Sequence, residues 1–150
     1  MDLGLTGKRA IITGATRGIG RAIAEQFVRE GCAVAICARK ADEVTRAVAD
    51  LKALGGANAR VCGGVADVAS RDAVDAWVAA AALELGGIDI VVANVSALAG
   101  APGEESWRAG MEIDMLGTVR TVEAALPHLE KSSAAAIVAV SSTAALDFSR

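Results

Sequence analysis

Short runs that are apolar throughout alternate along this chain with longer stretches that are apolar on one side only, and that alternation leaves few folds open. The runs are "RAIIT" (Arg9 to Thr13), "AVAIC" (Ala33 to Cys37), "ARVCGGV" (Ala59 to Val65), "IDIVVA" (Ile88 to Ala93) and "AIVAVS" (Ala136 to Ser141). They are rich in β-branched residues and mostly apolar from end to end, so each is predicted to be a strand buried on both faces. Between them apolar residues recur at helical spacing: Ile19, Ile23 and Phe27; Val44, Val48 and Leu51; Val74, Trp77, Val78 and Ala81; then a long stretch from about Ser106 to Leu129. A helix after each strand, joined by right-handed crossovers, makes the strands parallel and puts cover on both faces. The expected architecture is α/β, a doubly wound parallel sheet in a single domain over residues 1–150. Glycines at 31, 55, 56, 86 and 87 fall where the helices should end.

Composition agrees with a folded domain and narrows its partners. A chain of 150 residues can bury about 70% of its unfolded surface. With 53% hydrophobic and 22% charged residues it is too apolar for disorder, yet no run approaches the length of a membrane span. The opening "MDLGLTGKRA" has no basic segment followed by a long apolar one, so cytoplasm is the expected location. Cysteines 32, 37 and 62 lie in apolar stretches without CxxC pairing, which argues against a disulfide framework or a zinc site. A net charge of -3 without a Lys/Arg run excludes nucleic acid and an anionic membrane as expected partners.

In a doubly wound sheet the ligand sits beyond the carboxyl ends of the strands, usually beside the first one. Here that place is "TGATRGIG", Thr13 to Gly20. Gly14 lets the chain turn sharply out of the strand, while Gly18 and Gly20 keep side chains clear of the next helix start. The unpaired N–H groups and positive dipole end of that helix then suit a pyrophosphate. A glycine-rich turn can exist without any ligand, but three glycines in seven residues between a strand and a helix favour the anion site.

The spacing TGxxxGxG resembles that of the short-chain dehydrogenase/reductase family, and the resemblance runs along nearly the whole chain. It implies a Rossmann fold with strand order 3-2-1-4-5 and a nicotinamide dinucleotide held by Gly14, Thr16, Arg17, Gly18, Ile19 and Gly20. An acidic residue ending the second strand would select NAD(H). The corresponding position is Ala38, followed by Arg39, and Arg17 lies inside the glycine turn. Two guanidiniums suit a 2′-phosphate rather than a bare ribose, so NADP(H) is expected over NAD(H). Alone, either arginine reads as solvated surface charge. "ADV" (Ala66 to Val68) matches the family's adenine edge, with Asp67 accepting from the adenine amino group and Val68 beside it; an Asp after a strand is also an ordinary turn residue, and Ser70 nearby is a candidate helix cap. Where the family has Asn-Asn-Ala-Gly, this chain has Ala93, Asn94, Val95 and Ser96, so Asn94 and Ser96 are expected at the coenzyme, Ser96 with a side chain in place of glycine.

The stretch Met111 to Glu130 resembles the family helix that lines the nicotinamide pocket and packs between subunits, which implies a homo-oligomer. Its catalytic asparagine falls on Asp114, and Gly117 marks a close contact with a neighbouring element or the coenzyme. His128 near the helix end is read as a surface or capping residue, and no hydrolase triad with Ser142 is supported. Ser142 matches the serine that orients a substrate carbonyl. The family's proton donor is a tyrosine assisted by a lysine four residues later. This sequence contains no tyrosine, and no lysine follows Ser142. The expectation is therefore the cofactor-binding part of a reductase, cut before that segment and nearly inactive alone. The complete enzyme is expected to interconvert a small-molecule carbonyl and a secondary alcohol, for example as a 3-oxoacyl-thioester or general ketone reductase. A noncatalytic dinucleotide-binding module is the alternative; a methyltransferase-like relative is disfavoured by the glycine spacing and Arg39.

Overall fold

A computed structural model of the chain describes residues 3–99 and 101–142. Five strands, β1 (Arg9–Thr13), β2 (Ala33–Ala38), β3 (Val61–Val65), β4 (Ile90–Ala93) and β5 (Ala136–Ala139), form one sheet in the order β3-β2-β1-β4-β5, with every pair parallel. They alternate with α1 (Gly18–Arg29), α2 (Ala41–Gly55), α3 (Arg71–Leu85), α4 (Glu104–Gly110), a π turn (Met111–Met115) and α5 (Leu116–Leu129). This is the doubly wound arrangement expected from the alternation, in the Rossmann strand order that the family resemblance implies.

The register explains why the central runs are apolar throughout. Ile11 pairs beside Ala35 on one side and Val91 on the other, and all three face α3 and α5 with Trp77, Val78 and Leu129. The neighbours Ala10 and Ile12 point to the opposite face, against Ala24, Val28 and Leu51 of α1 and α2. Successive residues of a strand thus enter two different cores. Among the described residues no helix is long and apolar enough to cross a membrane.

The two edges depart from the expected burial on both faces. Gly63 and Val65 at the end of β3 are exposed, and so is every residue of β5, with Ile137 and Val138 49% and 47% exposed. An edge strand has one neighbour, and an apolar sequence alone does not reveal which strand will occupy the edge. The long helix begins two residues earlier than expected and is interrupted by the π turn, whose extra residue leaves no mark on a 3.6-residue hydrophobic pattern. α5 comes very close to the turn after β3: a Cβ on Gly117 would lie 2.8 Å from Val68 Cγ2.

At the amino ends of the strands a polar lock joins β1, β4 and β5. Asp89, 6% exposed, accepts from Arg9 N–H at 2.9 Å, Arg9 Nε at 2.8 Å, Arg9 Nη2 at 2.7 Å and Ser132 Oγ at 2.6 Å. Its own backbone donates to Arg9 O and accepts from Ala136 N–H. The Arg9 hydrogen bonds, followed by the one from Ser132, hold the Asp89 carboxyl well below the usual carboxylate range. No motif or hydrophobic period in the sequence marks this pair.

Candidate functional site

The carboxyl ends of β1, β2 and β4 converge on the glycine turn. Gly14, at φ +66°, donates its N–H to Cys37 O at 2.9 Å, tying the turn to β2. Asn94, just past β4, ties it from the other side: its Nδ2 donates to Thr13 O at 3.1 Å and Gly14 O at 3.2 Å, and its N–H donates to Thr13 Oγ1 at 3.0 Å. A Cβ on Gly20 would lie 2.4 Å from Asn94 Nδ2 and 2.6 Å from Gly14 O, so only glycine lets α1 start against this amide. Gly14, Gly20 and Asn94 are therefore one packed unit.

On its outer side the turn is open. Arg17 precedes α1 without a side-chain cap, and the first helical turn holds no acidic residue. A Cβ on Gly18, at φ +59°, would meet nothing within 4 Å. Thr16 is half-buried, while Arg17, Gly18 and Ile19 are exposed. A cradle of backbone N–H groups with empty space in front of it fits a pyrophosphate.

Arg39 follows β2 and is exposed, as is Arg17, and neither makes an ion pair or side-chain hydrogen bond among the described residues. Lys40 differs, since its Nζ contacts Glu43 Oε1 at 2.9 Å. The Glu43 carboxyl is held below its ordinary value chiefly by this hydrogen bond and in small part by the charge of Arg17, which places Arg17 within electrostatic reach of the start of α2.

Asp67 is exposed; its Oδ1 accepts from Ala69 N–H at 3.0 Å, and Ser70 caps α3 through Ala73 N–H at 3.3 Å. Val68 is buried against Gly117. Ser96 is exposed and its Oγ accepts from Leu98 N–H at 3.1 Å, with Leu98 at φ +51°. Asp114 sits in the π turn, and its Oδ1 accepts from Ala97 N–H at 2.6 Å, so this position anchors the loop after β4. Ser142 is exposed at the same carboxyl edge, two residues past Val140, whose N–H donates to Ala93 O. Arg120, unmarked by motif reasoning, bonds both Val68 O and Glu112; an arginine amid "GTVRTVEAA" was the available signal.

A family model for short chain dehydrogenases matches residues 8–149. The chain belongs to the short-chain dehydrogenase family. It is 38% identical to isoepoxydon dehydrogenase patN of Penicillium expansum over 155 residues, an alignment covering 100% of this chain and 58% of that protein. Among solved structures, a short-chain dehydrogenase from Burkholderia cenocepacia J2315 in complex with NADP superposes with a TM-score of 0.84 at 32% identity, covering 97% of this chain and 60% of that one. A 7α-hydroxysteroid dehydrogenase complexed with NADH and 7-oxo glycochenodeoxycholic acid gives 0.87 at 29% identity, covering 95% and 56%. This short-chain dehydrogenase chain thus spans somewhat more than half the length of these relatives. Members with either coenzyme share its fold, so the fold alone does not select between NADP and NADH.

Proposed function

We propose that this chain is the coenzyme-binding part of an NADP(H)-dependent short-chain oxidoreductase that interconverts a small-molecule carbonyl and a secondary alcohol. The observation that carries the reading is the open glycine turn flanked by two exposed guanidiniums that make no ion pair among the described residues, with Ala38 rather than an acid at the end of β2. Gly14 shapes the turn, and the backbone N–H groups from Thr16 to Gly20 hold the pyrophosphate, with the Thr16 and Ile19 side chains lining its approach. Arg17 and Arg39 clamp the 2′-phosphate, as charge-assisted donors do. Asp67, whose Oδ2 remains beside the turn bond, accepts from the adenine amino group next to the Val68 backbone. Asn94 and Ser96 border the nicotinamide side.

When bound, the nicotinamide supplies the hydride chemistry. Ser142 donates a hydrogen bond that orients the substrate oxygen. Asp114 fixes the Ala97 backbone and hence the loop wall, and its carboxylate can only accept when it meets a relay water. None of the 150 residues is a tyrosine, so these residues bind coenzyme and turn over substrate only with a separate proton donor. The exposed apolar residues of α4, the π turn and α5, Trp107, Met115 and Val119 among them, support self-association through this helix, and the protein works in the cytoplasm.

Titration with NADPH and NADH, followed by the fluorescence of Trp77 and Trp107, tests the reading. Tighter binding of NADPH is expected. Absence of affinity for both coenzymes in the folded chain overturns it.

A further inference from the structure

Arg120 projects from α5, yet its side chain is only 15% exposed. A guanidinium so withdrawn from water needs acceptors for its N–H groups. Two elements supply them. Nη1 donates to Val68 O at 3.1 Å and to Glu112 O at 3.2 Å, and Nη2 donates to Glu112 Oε1 at 2.5 Å. The first acceptor lies in the turn after β3 and the other two in the π turn. Helix α5 reaches both because Gly117 brings its backbone against Val68.

The turn after β3 is tied to β2 at its start, where Ala66 N–H donates to Ala38 O at 3.1 Å, and the Ala66 and Val68 side chains are buried in the core. Asp67 closes it by accepting from Ala69 N–H at its carboxylate and from Ser70 N–H at its carbonyl. Nothing in those two bonds sets the direction of the whole turn relative to the sheet edge. Beyond the backbone tie at Ala66, Arg120, 52 residues further along, holds the Val68 carbonyl. A planar fork can hold a carbonyl and a carboxylate together, which a lysine ammonium, a point donor, does less rigidly.

We infer that Arg120 is a positioning residue: by clamping the Val68 carbonyl to the π turn it fixes how Asp67 and the Val68 backbone face the adenine half of a bound dinucleotide. The inference rests on the coenzyme-binding reading above. It assigns the adenine side of the site a strut on a helix otherwise associated with the nicotinamide side, because Asp114 of the same π turn anchors the Ala97 loop.

The test compares the full chain with Arg120→Met and Arg120→Lys, measuring amide hydrogen exchange at Ala69 and Ser70 and affinity for two probes, adenosine 2′,5′-bisphosphate and reduced nicotinamide mononucleotide. Arg120→Met should speed exchange at both amides at least about tenfold and weaken the adenosine probe by about the same factor, with the nicotinamide probe unchanged. Arg120→Lys should recover part of both effects, and it carries the comparison if the methionine variant lacks a cooperative unfolding transition. Unchanged exchange at Ala69 and Ser70 overturns the inference, as does faster exchange with undiminished adenosine affinity, or equal loss for both probes. An unaltered chain that binds neither probe defeats the dinucleotide reading first and this inference with it, a result seen before any variant is made.

Discussion

The two ends of the sheet use the same guanidinium chemistry in opposite ways. At the amino ends, Arg9 is held against Asp89, and Ser132 and backbone groups complete the shell. At the carboxyl ends, Arg17 and Arg39 face outward beside a helix start that no side chain caps. A charge satisfied within the chain contributes to stability, whereas an exposed one with no ion pair among the described residues, beside a helix start, suits the proposed coenzyme phosphate. On the proposed reading, the fold separates what holds it together from what binds the coenzyme, with the length of the strands in between.

Substitutions at the two ends should therefore separate stability from affinity. Asp89→Asn strips Arg9 of its counter-charge and should cost about 3 kcal/mol in urea unfolding, with coenzyme affinity nearly unchanged. The same group sets an acid limit. Its folded pKa is depressed, so its contribution is complete above the unfolded aspartate value of about 3.9 and is lost as pH falls below it, when the unfolded chain takes up the proton first. Asp89→Asn should flatten that acid slope in unfolding measured across pH.

Gly20→Ala tests whether the ends are as separate as they look. The added Cβ must displace the Asn94 amide or the Gly14 carbonyl, at a cost of about 2 kcal/mol, and should weaken coenzyme binding as well. Calorimetry with and without NADPH reads both. Arg39→Asp should leave the melting temperature in place and lower the NADPH-over-NADH preference at least about tenfold; an unchanged preference removes the phosphate clamp from Arg39. As the smallest change, loss of the exposed Arg46–Asp42 pair through Arg46→Ala should shift stability by less than about 0.5 kcal/mol and affinity not at all.

Much of this was legible in the residues, for particular reasons. Ile11, Ile12, Val91 and Val92 announced strands covered on both sides because successive side chains enter different cores. The glycine turn was legible because Gly14 and Gly20 occupy positions that a Cβ would block. Gly117 was expected to mark a close contact, and Val68 provides it. The exposure of β5 was not legible, since an apolar strand has the same sequence in the middle of a sheet and at its edge. The π turn was hidden within a continuous helical pattern. The Arg9–Asp89 lock joins residues 80 apart, a pairing that only the topology brings about.

The three cysteines have a practical consequence. Cys32, Cys37 and Cys62 are buried, and desolvation pushes each thiol up to about 12, so almost no thiolate exists at neutral pH while the chain is folded. Alkylating reagents should then label each sulfur only when its own strand comes loose. Cys62 on the edge strand and Cys37 on its inner neighbour form a built-in pair of clocks, and the order in which they are labelled tells from which side the molecule comes apart.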